Sequence, residues 1–165
     1  MLTHLLVLGL LAGAPEIGTG EVVASADRTV ILRTVASAAT AAAGLPVGAI
    51  AWPQQYDPAD HAPYAMDFAP LLASGEKIAA IEAISMNATA ALLSVGVDQD
   101  APYAPIIDTA AGQKVQIWFL VDPVAWASVS FSAAGVMLPV TVRVLTDSVP
   151  PKRYERTALL TVRQL

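Results

Sequence analysis

The residues best equipped for chemistry crowd into one stretch. From Gln55 to Ile78 the chain reads QYDPADHAPYAMDFAPLLASGEKI, and Asp57, Asp60, His61 and Asp67 all fall within it. Carboxylates and an imidazole at short intervals can ligate a hard cation such as Ca²⁺. Calcium loops, however, build their turn around a glycine, and here prolines interrupt and no glycine separates Asp57 from Asp67. Turn chemistry accounts for these residues better. An Asp-Pro pair starts a turn in which the carboxylate accepts backbone N–H groups. Asp67 then caps or tethers a strand. Asp98, Asp100 and Asp108 form a second acidic set, expected in a solvated loop for the same reason.

Catalysis finds little else to use. His4 and His61 are the only histidines, and no Gly-x-Ser-x-Gly elbow is present. Asp60 adjoins His61, and Ser25 merely lies near Asp27, so no Ser-His-Asp set is assigned. A glycosidase needs two carboxylates facing each other across a cleft. Glu76 and Glu82 are the conceivable pair, but Glu82 in a strand interior is expected to face solvent or to pair with an arginine. No Walker or dinucleotide loop occurs. The chain has no cysteine, which removes disulfides, thiol catalysis and Cys-ligated zinc. No catalytic, metal-binding or cofactor-binding residue is therefore assigned, and no enzymatic activity is expected. Trp52, Trp118 and Trp126, with Tyr56, Tyr64 and Tyr103, could stack on sugars. Trp118 and Trp126 fall inside expected strands, where packing is the default role.

Composition bounds the classes that remain. The chain has 165 residues, enough for one domain plus an arm. Only 14% are charged, which is low for a free-standing monomer and predicts surface hidden against other subunits. The formal net charge is −5 and no run of Lys or Arg occurs, which disfavours nucleic acid and anionic membrane surfaces as partners. The start, LTHLLVLGLLAGA, is similar to the apolar region of a signal peptide, but no Lys or Arg precedes it. An apolar run of about 10 residues makes about 15 Å of helix, too short for a hydrocarbon core of about 30 Å. The preferred reading is an apolar arm over residues 1–14.

These residues need a frame. Residues 21–35 read as a β-hairpin with its turn at Ser25–Asp27, and residues 36–44 as a short helix or Ala-rich linker ended by Gly44. The main boundary is placed between 52 and 53, giving an N-terminal arm, hairpin and linker (1–52) and a β-domain (53–165). Strands are expected at 64–68, 76–86, 90–97, 113–122, 126–132, 136–146 and 155–165, with a long loop at 98–112. In 113–122 Ile117, Phe119 and Val121 share one face, and Gln116, Trp118 and Leu120 the other. Thr141, Arg143, Thr157, Thr161 and Arg163 share one parity, which predicts a wet face. About seven short strands at this spacing predict an all-β, antiparallel β-sandwich.

The order of short motifs is also informative. Asp57-Pro58, Tyr64, Asp67-Phe68, Leu71, Gly75-Glu76 and Ile78 follow one another, and the chain closes on ERTALLTVRQL. This series resembles small virion-associated proteins of tailed bacteriophages, whose pattern runs DP…DY…DW…L…G.TI. VVASADRTVIL (22–32) is similar to an upstream strand in many of them. The resemblance covers roughly 22–35 and 53–165. Phe68 stands where Trp is usual, Glu76 where Asp or Thr is common, and AAGVMLP where a Gly-Gly-Thr turn is frequent. The resemblance implies an immunoglobulin-like structural component of the virion, in head decoration or at the neck and head–tail connection. Its partners would be other copies of itself and capsid, portal or tail proteins. Leu5, Leu6, Leu8, Leu10, Val30 and Leu32 are the residues expected at subunit interfaces. The competing reading is a secreted or periplasmic β-sandwich binding domain whose apolar start is a signal peptide.

Overall fold

The computed structural model describes residues 18–33 and 48–165. The expected arm (1–14), with Leu5, Leu6, Leu8 and Leu10, and the Ala-rich segment (36–44) lie outside the described residues. The rest is mostly β. The strands are β1 (Thr19–Gly20), β2 (Thr29–Ile31), β3 (Ile50–Ala51), β4 (Pro63–Asp67), β5 (Ile78–Met86), β6 (Val95–Val97), β7 (Ile106–Asp108), β8 (Lys114–Val121), β9 (Val136–Thr146) and β10 (Arg153–Val162), with one short helix, α1 (Ala88–Leu92).

They form two sheets. One runs β1-β7-β8-β4-β2, with β6 also on β8; the other runs β3-β10-β9-β5. The long strands pair antiparallel, as expected. β9 and β10 form a hairpin whose register puts Thr141 opposite Thr157 and Arg143 opposite Glu155. Their side chains bond across the outer face, hydroxyl to hydroxyl at 2.8 Å for the threonines. Leu138, Val140, Val142 and Val144 alternate with them and are fully buried, so the expected wet face and dry face are both present.

The sheets are nonetheless mixed, not purely antiparallel. β1 pairs parallel to β7, β2 to β4, and β3 to β10. All three parallel strands come from the first third of the chain, and all three lie at sheet edges. Their role is to cover backbone that would otherwise be an open template for another strand. β5 is the fourth edge, and its pairing with β9 is interrupted by two register shifts, a second way to blunt an edge.

This arrangement departs from expectation in three places. The described part of the expected 21–35 hairpin, residues 21–33, does not pair with itself. Residues 26–28 make a 3₁₀ turn, and β2 departs to pair with β4. The preceding strand-like run has another partner: Val23 and Ala24 donate their N–H groups to Oε1 of Gln116, at 2.7 and 3.0 Å. Nor does the boundary at 52/53 separate two packed units, because the described residues before it supply three strands of the common sheets. Val30 and Leu32, expected at a subunit interface, are 2% exposed and belong to the chain's own core. Parallel pairing beside Met66 turns Val30 inward and leaves Ile31 on the surface.

Both sheets contribute to one hydrophobic cluster. At its centre Trp52, Tyr56, Tyr64 and Phe119 meet edge to face with centroids 5.6–6.0 Å apart. The polar handles of these rings are satisfied. Trp52 donates its indole N–H to the Ala65 carbonyl at 2.9 Å, and the Tyr64 hydroxyl donates to Gln55 O at 3.0 Å. Burial holds the Tyr56 and Tyr64 hydroxyls above the usual phenol range, so both stay protonated donors.

Two further segments depart from the expected strands. In 90–97 the chain first forms α1, because Asn87 caps it by accepting the Ala90 N–H on Oδ1 at 3.0 Å. In 126–132 there is no strand. Asp122 and Ser128 each accept an N–H two residues on, and 3₁₀ turns form over Pro123–Ala125 and Val129–Phe131. Gly135 then leads into β9 at φ +71°. A Cβ there would lie 2.4 Å from the Val162 carbonyl oxygen, so this position admits only glycine.

Candidate functional site

The acidic stretch is taken apart by the fold. Asp57 accepts the Ala59 N–H on Oδ1 at 2.8 Å, and on Oδ2 the N–H of Leu165, more than a hundred residues away. Asp67 accepts the Ala69 N–H at 2.9 Å, closing the end of β4. These are the turn and tether roles expected from the sequence. Asp60 lies 3.7 Å from the Arg28 guanidinium. Among the described residues no group of three or more His, Asp or Glu side chains is placed to hold a metal ion.

His61 does acquire a partner, but not its neighbour Asp60. Its Nε2 lies 3.0 Å from Oδ2 of Asp98. Asp98 is nearly buried, and its Oδ1 accepts the Asp100 N–H, which fixes the carboxylate toward the imidazole. Around this pair stand two rings from different elements. Tyr103 comes from the loop before β7, at 4.4 Å from the His61 ring, and Trp118 from the outer face of β8, at 5.1 Å. Tyr103 and Trp118 are 4.9 Å apart. The cluster is open to solvent through His61 and Tyr103. A histidine and a carboxylate are two parts of a nucleophilic triad, but among the described residues no hydroxyl is hydrogen-bonded to His61, and the rings fill the space beside it. What the arrangement offers is a surface of aromatic edges with a polar head.

Of the six aromatics considered for a sugar platform, the fold removes three. Trp52, Tyr56 and Tyr64 are core residues. Trp126 is on a turn, not in a strand, and donates its indole N–H to Val121 O at 2.9 Å.

Glu76 and Glu82 are likewise structural. Glu82 pairs with Arg153, as expected for a strand carboxylate. Glu76 is buried, accepts the Ala73 N–H at 2.8 Å and meets Lys152 Nζ at 3.0 Å. The Ala73 N–H first, then the Thr146 hydroxyl and Lys152, pull its carboxyl down to about 2, and Lys152 is raised in turn. Asp108 is also buried rather than solvated, its carboxylate accepting the N–H groups of Ala110 and Ala111.

Comparison with protein-family models, curated proteins and solved structures yields no match.

A further feature is a set of exposed apolar side chains. At the end of β8, Leu92, Val124 and Val129 are 85, 94 and 84% exposed, with Leu120 and Trp126 half-open nearby. Leu92 and Val124 flank one groove of about 560 Å³, completed by Leu93, Ala125, Ala127 and Asp122 among others. Among the described residues that line it Asp122 is the one charged side chain, and its carboxylate already accepts the Val124 N–H. The groove is built by a hydrogen bond between the two loops, Asp122 N–H to Ser94 O at 3.1 Å, with Ser94 held at φ +56°. Sequence reasoning assigned both segments to strands and so missed it. The signal was the run of Leu and Val flanking Asp-Pro, without a strand's alternation of bulk. Among the described residues no helix is long and apolar enough to cross a membrane.

Proposed function

We propose that this protein is a structural component of a tailed-phage virion, an immunoglobulin-like β-sandwich acting through subunit packing in head decoration or at the neck. The observation that carries the proposal is the exposed apolar end formed by Leu92, Val124 and Val129. Isolated surface hydrophobes need no explanation, but Leu92 and Val124 flank one groove, which fits a contact surface. The low charge content and the ordered series from Asp57-Pro58 to Ile78 support the same reading. Quantitative mass spectrometry of gradient-purified particles, scaled to the major capsid protein, tests the proposal. Copy numbers near that of the capsid protein indicate decoration, and about a dozen indicates a neck ring. Absence from particles removes the virion reading.

The aromatic surface of His61, Tyr103 and Trp118 favours a second reading, a secreted or periplasmic binding domain. A glycan array with wild type and Trp118→Ala tests it: no retained glycan, or retention unaffected by the substitution, removes it.

A further inference from the structure

We infer that this chain pairs with a second copy of itself edge to edge, β5 on β5 and β6 on β6, about one two-fold axis that passes beside Ser85 and Gly96. The inference concerns contact between copies and does not rest on the virion reading.

The first observation is where the main chain points. In an antiparallel pair, successive residues turn their N–H and C=O alternately toward the partner strand and away from it. Thr146 donates its N–H to Lys152 O, so the even-numbered residues of β9 face β10 and the odd-numbered ones face β5. Arg143 and Thr141 therefore hold Ala83 and Ser85, and Ile84 and Met86 are turned outward. The same rule turns Ile78 outward, and its N–H goes to Gly112 O at 2.7 Å. On β6, the bonds from Asp98 N–H to Trp118 O and from Asp122 N–H to Ser94 O set Gly96 toward β8 and turn Val95 and Val97 outward. Among the described residues, the outward main-chain groups of Ile84, Met86, Val95 and Val97 find no hydrogen-bond partner.

The second is how the two edges lie. Both line one cavity of about 250 Å³, β5 through Ile84, Ser85 and Met86, and β6 through Val95, Gly96 and Val97. Each edge offers the same unit, two outward residues flanking one inward residue. Such a unit is its own complement under a two-fold rotation. Ile84 meets Met86 of the partner subunit, and Val95 meets the partner's Val97, each as a doubly hydrogen-bonded pair. One rotation serves both edges because they border the same space.

The third is the side chains. Ile84, Met86 and Val97 are partly buried and pack against the core, and Val95 belongs to it. A second copy closes over their open sides and takes more apolar surface from water. Residues 83–87, AISMN, and 95–97, VGV, hold no charge and no proline, the residues that protect natural edges. The two register shifts of β5 fall before Ala83, so the last four paired residues run regularly. Gly96 needs no glycine for its own fold, since a Cβ there would meet Leu120 Cδ1 at an ordinary 3.9 Å. On the axis it faces its own copy in the closer kind of antiparallel pair, about 4.5 Å between Cα atoms. The rotation sets Glu82 opposite the partner's Ala88 and Asp98 opposite the partner's Ser94, so no like charges meet.

Sedimentation equilibrium of the full-length chain should give twice 17.1 kDa. Ser85 is exposed and lies on the axis, so Ser85→Glu or Ser85→Lys sets like charge against like without burdening the fold. Each variant alone should show half the wild-type mass, and mixing the two should restore the dimer. A wild-type chain that stays monomeric at its highest soluble concentration overturns the inference. So does an assembly that both charge variants leave intact. The chain has no cysteine, so Ser85→Cys gives a direct reading. Mild oxidation should yield a covalent dimer in roughly tenfold excess over Ser130→Cys, a control that is also exposed, because pairing raises the effective concentration of the two thiols. Equal yields overturn the inference. Amide exchange at Val95 and Val97 should also rise in Ser85→Glu, although the substitution is in the other sheet. Unchanged exchange there overturns the joint pairing of both edges. The particle measurement that tests the virion reading leaves each of these outcomes where it stands.

Discussion

Trp118 and Phe119 are adjacent in sequence and face opposite sides of β8. Phe119 is fully buried among Trp52, Tyr56 and Tyr64, while Trp118 looks outward to His61 and Tyr103. The outer rings lie closer together, with centroids 4.4–5.1 Å apart against 5.6–6.0 Å for the inner ones, so ring proximity is not what makes a core. What separates them is how their polar atoms are held and what lies beyond the rings. The inner group ties each polar handle to a backbone carbonyl and is enclosed by both sheets. The outer group ends in an imidazole–carboxylate pair at the edge of solvent. One is a fold-determining core and the other a surface that the core holds in place.

The sharpest way to break this contrast is to truncate both residues. Phe119→Ala removes a ring with no solvent contact and leaves a cavity bounded by three other aromatics. Such a change costs about 3–5 kcal/mol, which for a domain of this size threatens the folded state itself. Urea denaturation followed by tryptophan fluorescence should show the midpoint collapse. A loss near that of an exposed residue would mean that the inner cluster is not the core.

Gln116 qualifies the contrast, since it lies on the outer face yet is buried. Its side-chain carbonyl accepts the Val23 and Ala24 N–H groups, so it tethers the segment between β1 and β2 to the outer surface of the sheet. Gln116→Ala leaves two donors without their acceptor, at a cost of about 1–3 kcal/mol. Gln116→Glu keeps an acceptor and should recover much of the loss above the carboxylate range. Equal losses in both variants would show that the amide acts by packing alone.

Glu76 extends the same logic to charge. Its carboxyl is held at about 2, below the ordinary 4.5. The folded state therefore gains from its ionised form at pH above 4.5, and that gain is lost as pH falls from 4.5 toward 2. Glu76→Gln should lower the urea midpoint at neutral pH and make it less sensitive to pH across that window. An unchanged acid limb would show that Glu76 does not couple to folding.

These residues mark what was readable in the sequence. β8, β9 and β10 are long enough for their apolar and polar positions to show a period of two, so their faces are legible in the sequence. In 126–132 Ser128, Ser130 and Ser132 alternate with Ala127, Val129 and Phe131 as a strand's residues would, but the caps at Asp122 and Ser128 decided the conformation. The edge strands β1 and β3 have two residues each, too few for any periodicity. The site partners were hidden by separation along the chain: His61 meets Asp98, Gln116 meets Val23, and Glu76 meets Lys152, each pair joined only once the sheets form. Local chemistry, such as the turns at Asp57 and Asp67, was legible because donor and acceptor are two residues apart.

Trp118→Ala should have the smallest effect of the series. The ring is partly solvated, and its packing against His61 and Tyr103 is worth about 0.5–1.5 kcal/mol for such aromatic contacts. The strand beneath it is held independently, by Pro63–Asp67 on one side and by β6 and β7 on the other. The expected outcome is a urea midpoint close to wild type, with a chain that elutes at its usual size. A loss approaching that of Phe119→Ala would make the outer rings a second core and remove them as a contact surface. A near-neutral result has the opposite meaning. Side chains this large, kept at the surface for little stability, are then free to be tested for binding with the fold intact.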